Sequence, residues 1–145
     1  MTPKPQELPK LYSMFSIGLV TFLFSLLAGG CLLCANYIAL GMHKMALRVL
    51  AASAVVYFSL SWALSTYVGV TSNTTEEQLT LSVKFAFVTA VGQAIVAIAA
   101  TQFLQGPMFA TFQEMRGRYH SAWRAFFIGL CVFLATIIIA SLWIR

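Results

Sequence analysis

The chain alternates between long apolar runs and short polar segments. Four apolar runs cover residues 12–40, 46–70, 79–104 and 125–144. A helix that crosses a bilayer needs about 20 apolar residues, so each run is long enough. Because lipid offers no hydrogen-bond partners, the backbone groups of such runs must be satisfied within helices. The pattern predicts one all-α membrane domain over residues 1–145, built as a bundle of four transmembrane helices.

The first run is longer than a perpendicular span requires. A helix of about 29 residues is roughly 43 Å long, against a hydrocarbon core of about 30 Å. We expect this helix to tilt, to begin in the headgroup layer, or to bend at Gly29-Gly30. Gly41 is expected to end it in the left-handed conformation that glycine tolerates. The loop that follows, residues 41–45, is short enough to predict an antiparallel hairpin of helices one and two.

The other two loops differ in character. Loop two, residues 71–78, reads TSNTTEEQ and is acidic, whereas loop three, residues 105–124, is basic. Gly106-Pro107 is expected to stop helix three, and Pro107 suits the first position of a new helix. Over residues 107–116 the apolar side chains share one face, which predicts a short helix lying in the membrane interface.

Composition supports a lipid environment. The chain is 60% hydrophobic and only 9% charged, with a mean hydropathy of +0.85, whereas soluble domains carry about 25% charged residues. The net charge of +5 does not predict a nucleic-acid partner, because the basic residues flank apolar runs instead of forming a patch. The opening MTPKPQELPK does not have the pattern of a secretory signal peptide.

The distribution of Lys and Arg predicts an orientation. Five lie in or beside loops one and three, namely Lys44, Arg48, Arg116, Arg118 and Arg124. Four lie on the opposite side, namely Lys4, Lys10, Lys84 and Arg145. Cytoplasmic loops are richer in basic residues, so loops one and three are expected in the cytoplasm and both termini outside. The cluster Arg116, Arg118 and Arg124 is expected to contact anionic lipid headgroups.

Polar residues recur at every fourth position inside two of the runs. Helix two carries Ser53, Tyr57, Ser61, Ser65 and Gly69, and helix three carries Thr89, Gln93, Ala97, Thr101 and Gln105. Residues four apart lie on one helix face, so both stripes are expected to face protein. They serve either as hydrogen-bonding contacts between helices or as a path for a polar solute. Gln93, near the middle of its span, most needs a partner.

The sequence offers little catalytic chemistry. Cys31-x-x-Cys34 has the spacing of thiol redox sites, and four-helix membrane enzymes that make disulfides or reduce quinones carry such a pair. Those enzymes also need a second cysteine pair, and only Cys131 remains here. The chain contains no Asp, which excludes a Ser-His-Asp triad. His43 and His120 are expected to be solvated. We therefore predict no enzyme activity, no cofactor and no metal site.

The opening of the chain carries an LYS…TFL…LAGG…NY.ALG pattern, here Leu11-Tyr12-Ser13, Thr21-Phe22-Leu23, Leu27-Ala28-Gly29-Gly30, Asn36-Tyr37 and Ala39-Leu40-Gly41. In this pattern it resembles a group of small, uncharacterised polytopic proteins of bacterial inner membranes. The resemblance implies a four-helix protein of the bacterial inner (plasma) membrane and no particular activity. In physical terms Gly29 and Gly30 would let another helix approach, and Asn36 would lie at the inner interface.

Three functional hypotheses follow from these patterns. The first is a non-catalytic protein that acts through helix–helix contacts with a membrane protein partner or in a homo-oligomer. One version is an immunity-type protein that neutralises a membrane-inserting toxin. The second is a small-solute carrier or channel that uses the polar stripes. The third is a thiol redox enzyme acting through Cys31 and Cys34.

Overall fold

The computed structural model describes residues 8–68 and 76–143, which fold into five helices without a β-strand. They are α1 (Met14–Leu23), α2 (Leu26–Ala39), α3 (His43–Val68), α4 (Glu76–Glu114) and α5 (Ala122–Trp143). The predicted all-α class is confirmed. Three stretches are long and apolar enough to cross a membrane, namely His43–Ala63, Leu79–Glu114 and Ala122–Leu142. Residues 71–75 of the predicted loop two lie outside the described residues.

The first apolar run is a pair of helices, so the single spanning helix predicted over residues 12–40 is wrong. The chain is fully extended at Ser25 (φ −179°, ψ 164°), whose Oγ accepts a hydrogen bond from the backbone N–H of Ala28 at 3.2 Å. Beyond Ser25 the chain folds back, since the N–H of Tyr12 donates to Oδ1 of Asn36 at 2.6 Å. Helices α1 and α2 therefore form an antiparallel hairpin.

Of the three arrangements expected for the first run, the chain does bend, but at Phe24-Ser25 and not at Gly29-Gly30. The two glycines are close-packing points. A β-carbon at Gly29 would collide with Oγ1 of Thr21 and lie 3.4 Å from the carbonyl oxygen of Ile17, both on α1. A β-carbon at Gly30 would collide with the side chain of Ser53 on α3. The glycines let α2 approach two helices at once.

The hairpin forms the core of the protein. Most of the largest fully buried side chains lie between residues 11 and 37, including Tyr37, Ile17, Leu32 and Val20. The three long helices pack against α1 or α2, and in the described part of the chain none of them packs extensively against another.

The hairpin is much shorter than the helices around it. At about 1.5 Å per residue, α1 and α2 are about 15 and 21 Å long, less than the hydrocarbon core of about 30 Å. The ring of Phe24 at the hairpin tip lies 5.1 Å from that of Phe126, near the start of α5, and 6.0 Å from that of Phe133, near its middle. The hairpin therefore fills one half of the helical unit.

Helix α4 does not stop at Gly106-Pro107, and residues 107–116 do not form the separate interfacial helix that the sequence predicted. Their helical part, through Glu114, is the last section of α4. An internal proline costs about 3 kcal/mol. This section buries Phe109 and Phe112 against Leu11, and burial of a phenylalanine contributes about 1.5–3 kcal/mol. Two such side chains offset the cost of the proline.

The beginning of the described chain lies beside loop three. The N–H of Leu11 donates to the carbonyl of Arg118 at 3.4 Å, and the N–H of His120 donates to the carbonyl of Leu11 at 2.8 Å. The sequence placed these residues on opposite sides of the membrane. That expectation does not hold for residues 8–12, because a hairpin returns the chain to the end from which it started.

The predicted end of α2 at Gly41 is confirmed. Gly41 has φ 75°, its N–H donates to the carbonyl of Ile38, and the N–H of Met42 donates to the carbonyl of Tyr37. This pair of bonds defines the Schellman motif. It turns the chain directly into α3, which begins at His43.

Candidate functional site

The tip of the hairpin places the amino terminus of α2 near the middle of α4. The first N–H groups of a helix have no partner within it. Here the N–H of Leu26 donates to Oε1 of Gln93 at 3.0 Å, while Ser25 accepts from the N–H of Ala28. Gln93, the residue identified from the sequence as most in need of a partner, therefore caps a helix at mid-span.

Asn36 joins three segments at the opposite end of α2. Its side-chain amide accepts from the N–H of Tyr12 at 2.6 Å and donates to the carbonyl of Tyr12 at 2.9 Å. It also donates to Oε1 of Gln105 on α4 at 3.3 Å. Beside it the hydroxyl of Tyr37 donates to the carbonyl of Leu104 at 3.2 Å. Asn36 thus pairs with the backbone of Tyr12 much as a neighbouring β-strand would.

Most of the described basic residues lie at the end of the protein where Asn36 is located. Seven Lys and Arg residues are described, and six of them are near this end, namely Lys10, Lys44, Arg48, Arg116, Arg118 and Arg124, all exposed. The three arginines predicted to contact headgroups belong to this set. Only Lys84 lies toward the other end of α4. The described part of the chain therefore has a basic end and an end with little positive charge.

His120 lies where the N-terminal segment meets this basic end. Its ring packs on that of Tyr12 with centroids 4.7 Å apart. Burial lowers the pKa of His120, and the positive charges of Arg124 and Lys10 lower it further. The neutral imidazole is the form that suits this position, because a third positive charge would be repelled.

The structure does not bring the two predicted polar stripes together as one surface. Ser61 is exposed, and the ring of Tyr57 packs edge-on against its neighbour Phe58. Thr89 and Thr101 each donate to the carbonyl four residues earlier on α4, at 2.8 and 2.7 Å. The side chain of Ser65 lies outside the described residues. Gln93 contacts the hairpin, whereas Ser53 of one stripe and Thr101 of the other line a common groove.

An apolar groove of about 180 Å³ lies between α3 and α4, with the hairpin as its floor. Ser53 and Thr101 are the hydroxyl residues among its lining, and both donate to carbonyls of their own helices. We call it the α3–α4 groove. Its described lining offers hydrocarbon and not a polar path for a solute.

The cysteines lie in an apolar setting. Cys34 is buried and Cys31 half-buried on α2, while Cys131 is exposed on α5, and all three are free thiols. Among the described residues no group of three His, Cys, Asp or Glu side chains is placed to hold a metal ion.

Several residues of these networks escaped prediction from the sequence. Tyr12 takes part through its backbone groups, and Ser25 takes part as a helix cap. Neither residue is distinctive within an apolar stretch of sequence. Gln105 belonged to a predicted stripe, but its partner Asn36 is 69 positions away in the sequence. The excess length of the first run was one available signal for the hairpin.

Comparison with known proteins adds no identification. No protein-family model matches the chain, and neither curated proteins nor solved structures show significant similarity to it.

Proposed function

We propose that this is a non-catalytic protein of the bacterial inner membrane that acts through contacts between its long helices and a protein partner within the bilayer. The observation that carries the proposal is the shortness of the hairpin. Beyond its tip no described helix lies between α3, α4 and α5, and large apolar side chains such as Leu81, Phe87 and Ile138 are exposed.

Polar side chains on these exposed faces favour protein over lipid as the neighbour. Ser61 is exposed on α3, and Tyr57 precedes it by one turn on the same face. In a membrane such residues usually lie at helix–helix contacts, where small and hydroxyl side chains allow close approach. A partner helix or a second copy of the chain would meet this face.

Site-specific photocrosslinking in native membranes tests the proposal. A photoreactive side chain at Ser61 is expected to give an adduct with another protein chain. Val55, which is 65% exposed, provides the control, since at about 100° per residue it lies about 120° around the helix from Ser61 and about 160° from Tyr57. Protein adducts at Ser61 and lipid adducts at Val55 support the proposal, whereas lipid adducts at both positions contradict it.

An immunity-type protein is one concrete version of this function. Its partner would be a toxin that inserts into the membrane and is held inactive by contact with the exposed helix faces. Co-expression with the products of adjacent genes tests this version. Protection that is lost in Ser61→Trp and kept in Val55→Trp supports it, while the absence of any protected toxin removes it.

We further propose that the basic end faces the cytoplasm, with α3, α4 and α5 crossing the membrane and the hairpin entering from the same side. Once residues 8–12 join loops one and three, six of the seven described Lys and Arg residues are on one side, which is the distribution typical of cytoplasmic loops. The carboxyl end of α5 would then lie outside.

Cysteine labelling tests this topology. In a chain whose native cysteines are replaced by alanine, Leu8→Cys and Ser121→Cys are expected to resist a membrane-impermeant maleimide until the cells are permeabilised. Labelling of Leu8→Cys alone in intact cells would restore the orientation first expected from the sequence.

A further inference from the structure

The α3–α4 groove is a built cavity at membrane depth. Gly29 and Gly30 form its floor, Val49 and Val56 belong to its α3 wall, and Val96 and Leu104 to its α4 wall. The groove exists because α3 and α4 both pack against the hairpin and not extensively against each other. In a bilayer such a space must be filled, since empty apolar volume forfeits dispersion contacts.

The chemistry of the groove selects a hydrocarbon occupant. The hydroxyl of Ser53 donates to the carbonyl of Leu50 at 2.9 Å, and that of Thr101 to the carbonyl of Ala97 at 2.7 Å. Neither hydroxyl proton is left to donate to a solute, and the other side chains described in the lining are hydrocarbon. Apolar cavities of about 150 Å³ stay dry and hold a six-carbon ring, so 180 Å³ suits a segment of acyl chain.

The shape of the groove favours a slender occupant over a protein helix. A helix with its side chains is about 10 Å across, whereas an acyl chain is one methylene wide and can follow the groove between its α3 wall and its α4 wall. A lipid tail therefore suits the groove better than a helix.

Charge at one end of the groove identifies the headgroup. Arg48 is exposed on α3, and it is one turn before Ala52, which lines the groove. Lys44 is a further turn toward the basic end on the same face and is also exposed. Residues four apart lie above one another on a helix, so two cations continue the line of the groove. A lipid whose phosphate binds these two cations would have its acyl chain directed along α3, into the groove.

We propose that the α3–α4 groove binds one acyl chain of an anionic phospholipid and that Arg48 and Lys44 bind its phosphate. The lipid fills the wedge between two helices that the hairpin holds apart. This site lies on the hairpin side of the protein, whereas the proposed protein contact lies beyond the hairpin tip, so either can fail without the other.

Native mass spectrometry of the full chain, purified in mild detergent and stripped of lipid, tests the proposal. Added phosphatidylglycerol is expected to give one tightly retained molecule per chain. Arg48→Gln should weaken its binding about fivefold and weaken the binding of phosphatidylcholine less, because the choline of that lipid offsets the charge of its phosphate. Lys84→Gln, at the opposite end, is the matched control and should change neither.

Variants that fill the groove provide a second test of lipid binding. Ala100→Leu and, independently, Ala52→Leu place a larger side chain in the lining and should abolish retention of phosphatidylglycerol. Ala99→Leu, at the exposed neighbouring position, should keep it. Circular dichroism and gel filtration identify the variants that fold. Retention unchanged by both groove variants, equal retention of the two lipids by the native chain, or a second protein chain crosslinked at Ala52 would overturn the proposal.

Discussion

The side-chain oxygen Oε1 of Gln93 accepts a hydrogen bond from the backbone N–H of Leu26 at 3.0 Å. The two residues are 67 positions apart in the sequence. The bond gives an acceptor to the first backbone N–H of α2, which lies near the middle of α4. Within a bilayer, non-helical backbone is tolerated only where protein or water satisfies its polar groups. Gln93 therefore makes the hairpin compatible with lipid.

Replacement of Gln93 by leucine should destabilise the protein by about 1–3 kcal/mol, because the N–H of Leu26 would be left without its acceptor. The unfolding transition in mixed detergent micelles measures this effect. Gln102→Leu is the control, since Gln102 is exposed on the same helix and should change the unfolding free energy little. Equal stability of the two variants would show that the capping bond contributes nothing.

Asn36 should control how firmly the N-terminal segment is held. Asn36→Leu removes the amide that bonds both backbone groups of Tyr12, and each unsatisfied buried group costs about 1–3 kcal/mol. Hydrogen exchange at the amides of Leu11 and Tyr12 should accelerate strongly. Ser13→Ala, which removes only the cap that Ser16 uses at the start of α1, should leave those two amides protected.

The sequence was sufficient for the long helices and insufficient for the hairpin. Length and apolar content predict α3 and α5 closely, because lipid leaves a long apolar run few alternatives to a helix. The same argument misled for residues 12–40, where apolar content is continuous but the chain reverses at Phe24-Ser25. Amino-acid composition does not reveal this turn, because the backbone N–H groups at the turn are satisfied by Ser25 itself and by the distant Gln93.

Two signals in the sequence did point to the hairpin. The first run was too long for one span, and the Lys and Arg count was nearly balanced between the two sides. Once Lys10 is counted on the side of loops one and three, the Lys and Arg residues are no longer balanced between the two sides. The continuation of α4 past Pro107 was beyond sequence reasoning for a different reason, since it depends on burial of Phe109 and Phe112 against Leu11.

Stability should fall on mild acidification because of His120. Burial, then Arg124 and Lys10, lower the pKa of His120 in the folded protein, whereas the unfolded value is about 6.5. The unfolded chain therefore binds the proton more readily, and the contribution of His120 to stability is complete above about pH 6.5 and lost as the pH falls through the folded pKa.

The free energy of unfolding measured between pH 7.5 and pH 5 checks this dependence. His120→Phe keeps a ring against Tyr12 and should flatten the profile. A native slope that persists in His120→Phe would assign the titration to another group.

The ends of α2 and α4 provide a matched pair of substitutions with opposite expected effects. Both helices end in a Schellman motif. In α4 Arg116 takes the left-handed position (φ 55°), with its N–H donating to the carbonyl of Gln113 and the N–H of Gly117 to that of Phe112. A residue with a β-carbon costs about 1–2 kcal/mol there, and glycine avoids that cost. Arg116→Gly should therefore stabilise the protein by up to about 1 kcal/mol, while Gly41→Ala should destabilise it by about 1–2 kcal/mol.

Thermal unfolding of the two variants in one detergent measures the difference. No atom lies within 4 Å of the position that a β-carbon at Gly41 would occupy, so backbone conformation alone accounts for the effect of Gly41→Ala. Arg116→Lys keeps the charge and the β-carbon, and it should match the native stability. A loss of stability in Arg116→Gly, with Arg116→Lys unaffected, would mean that the charge of Arg116 outweighs the strain of its backbone.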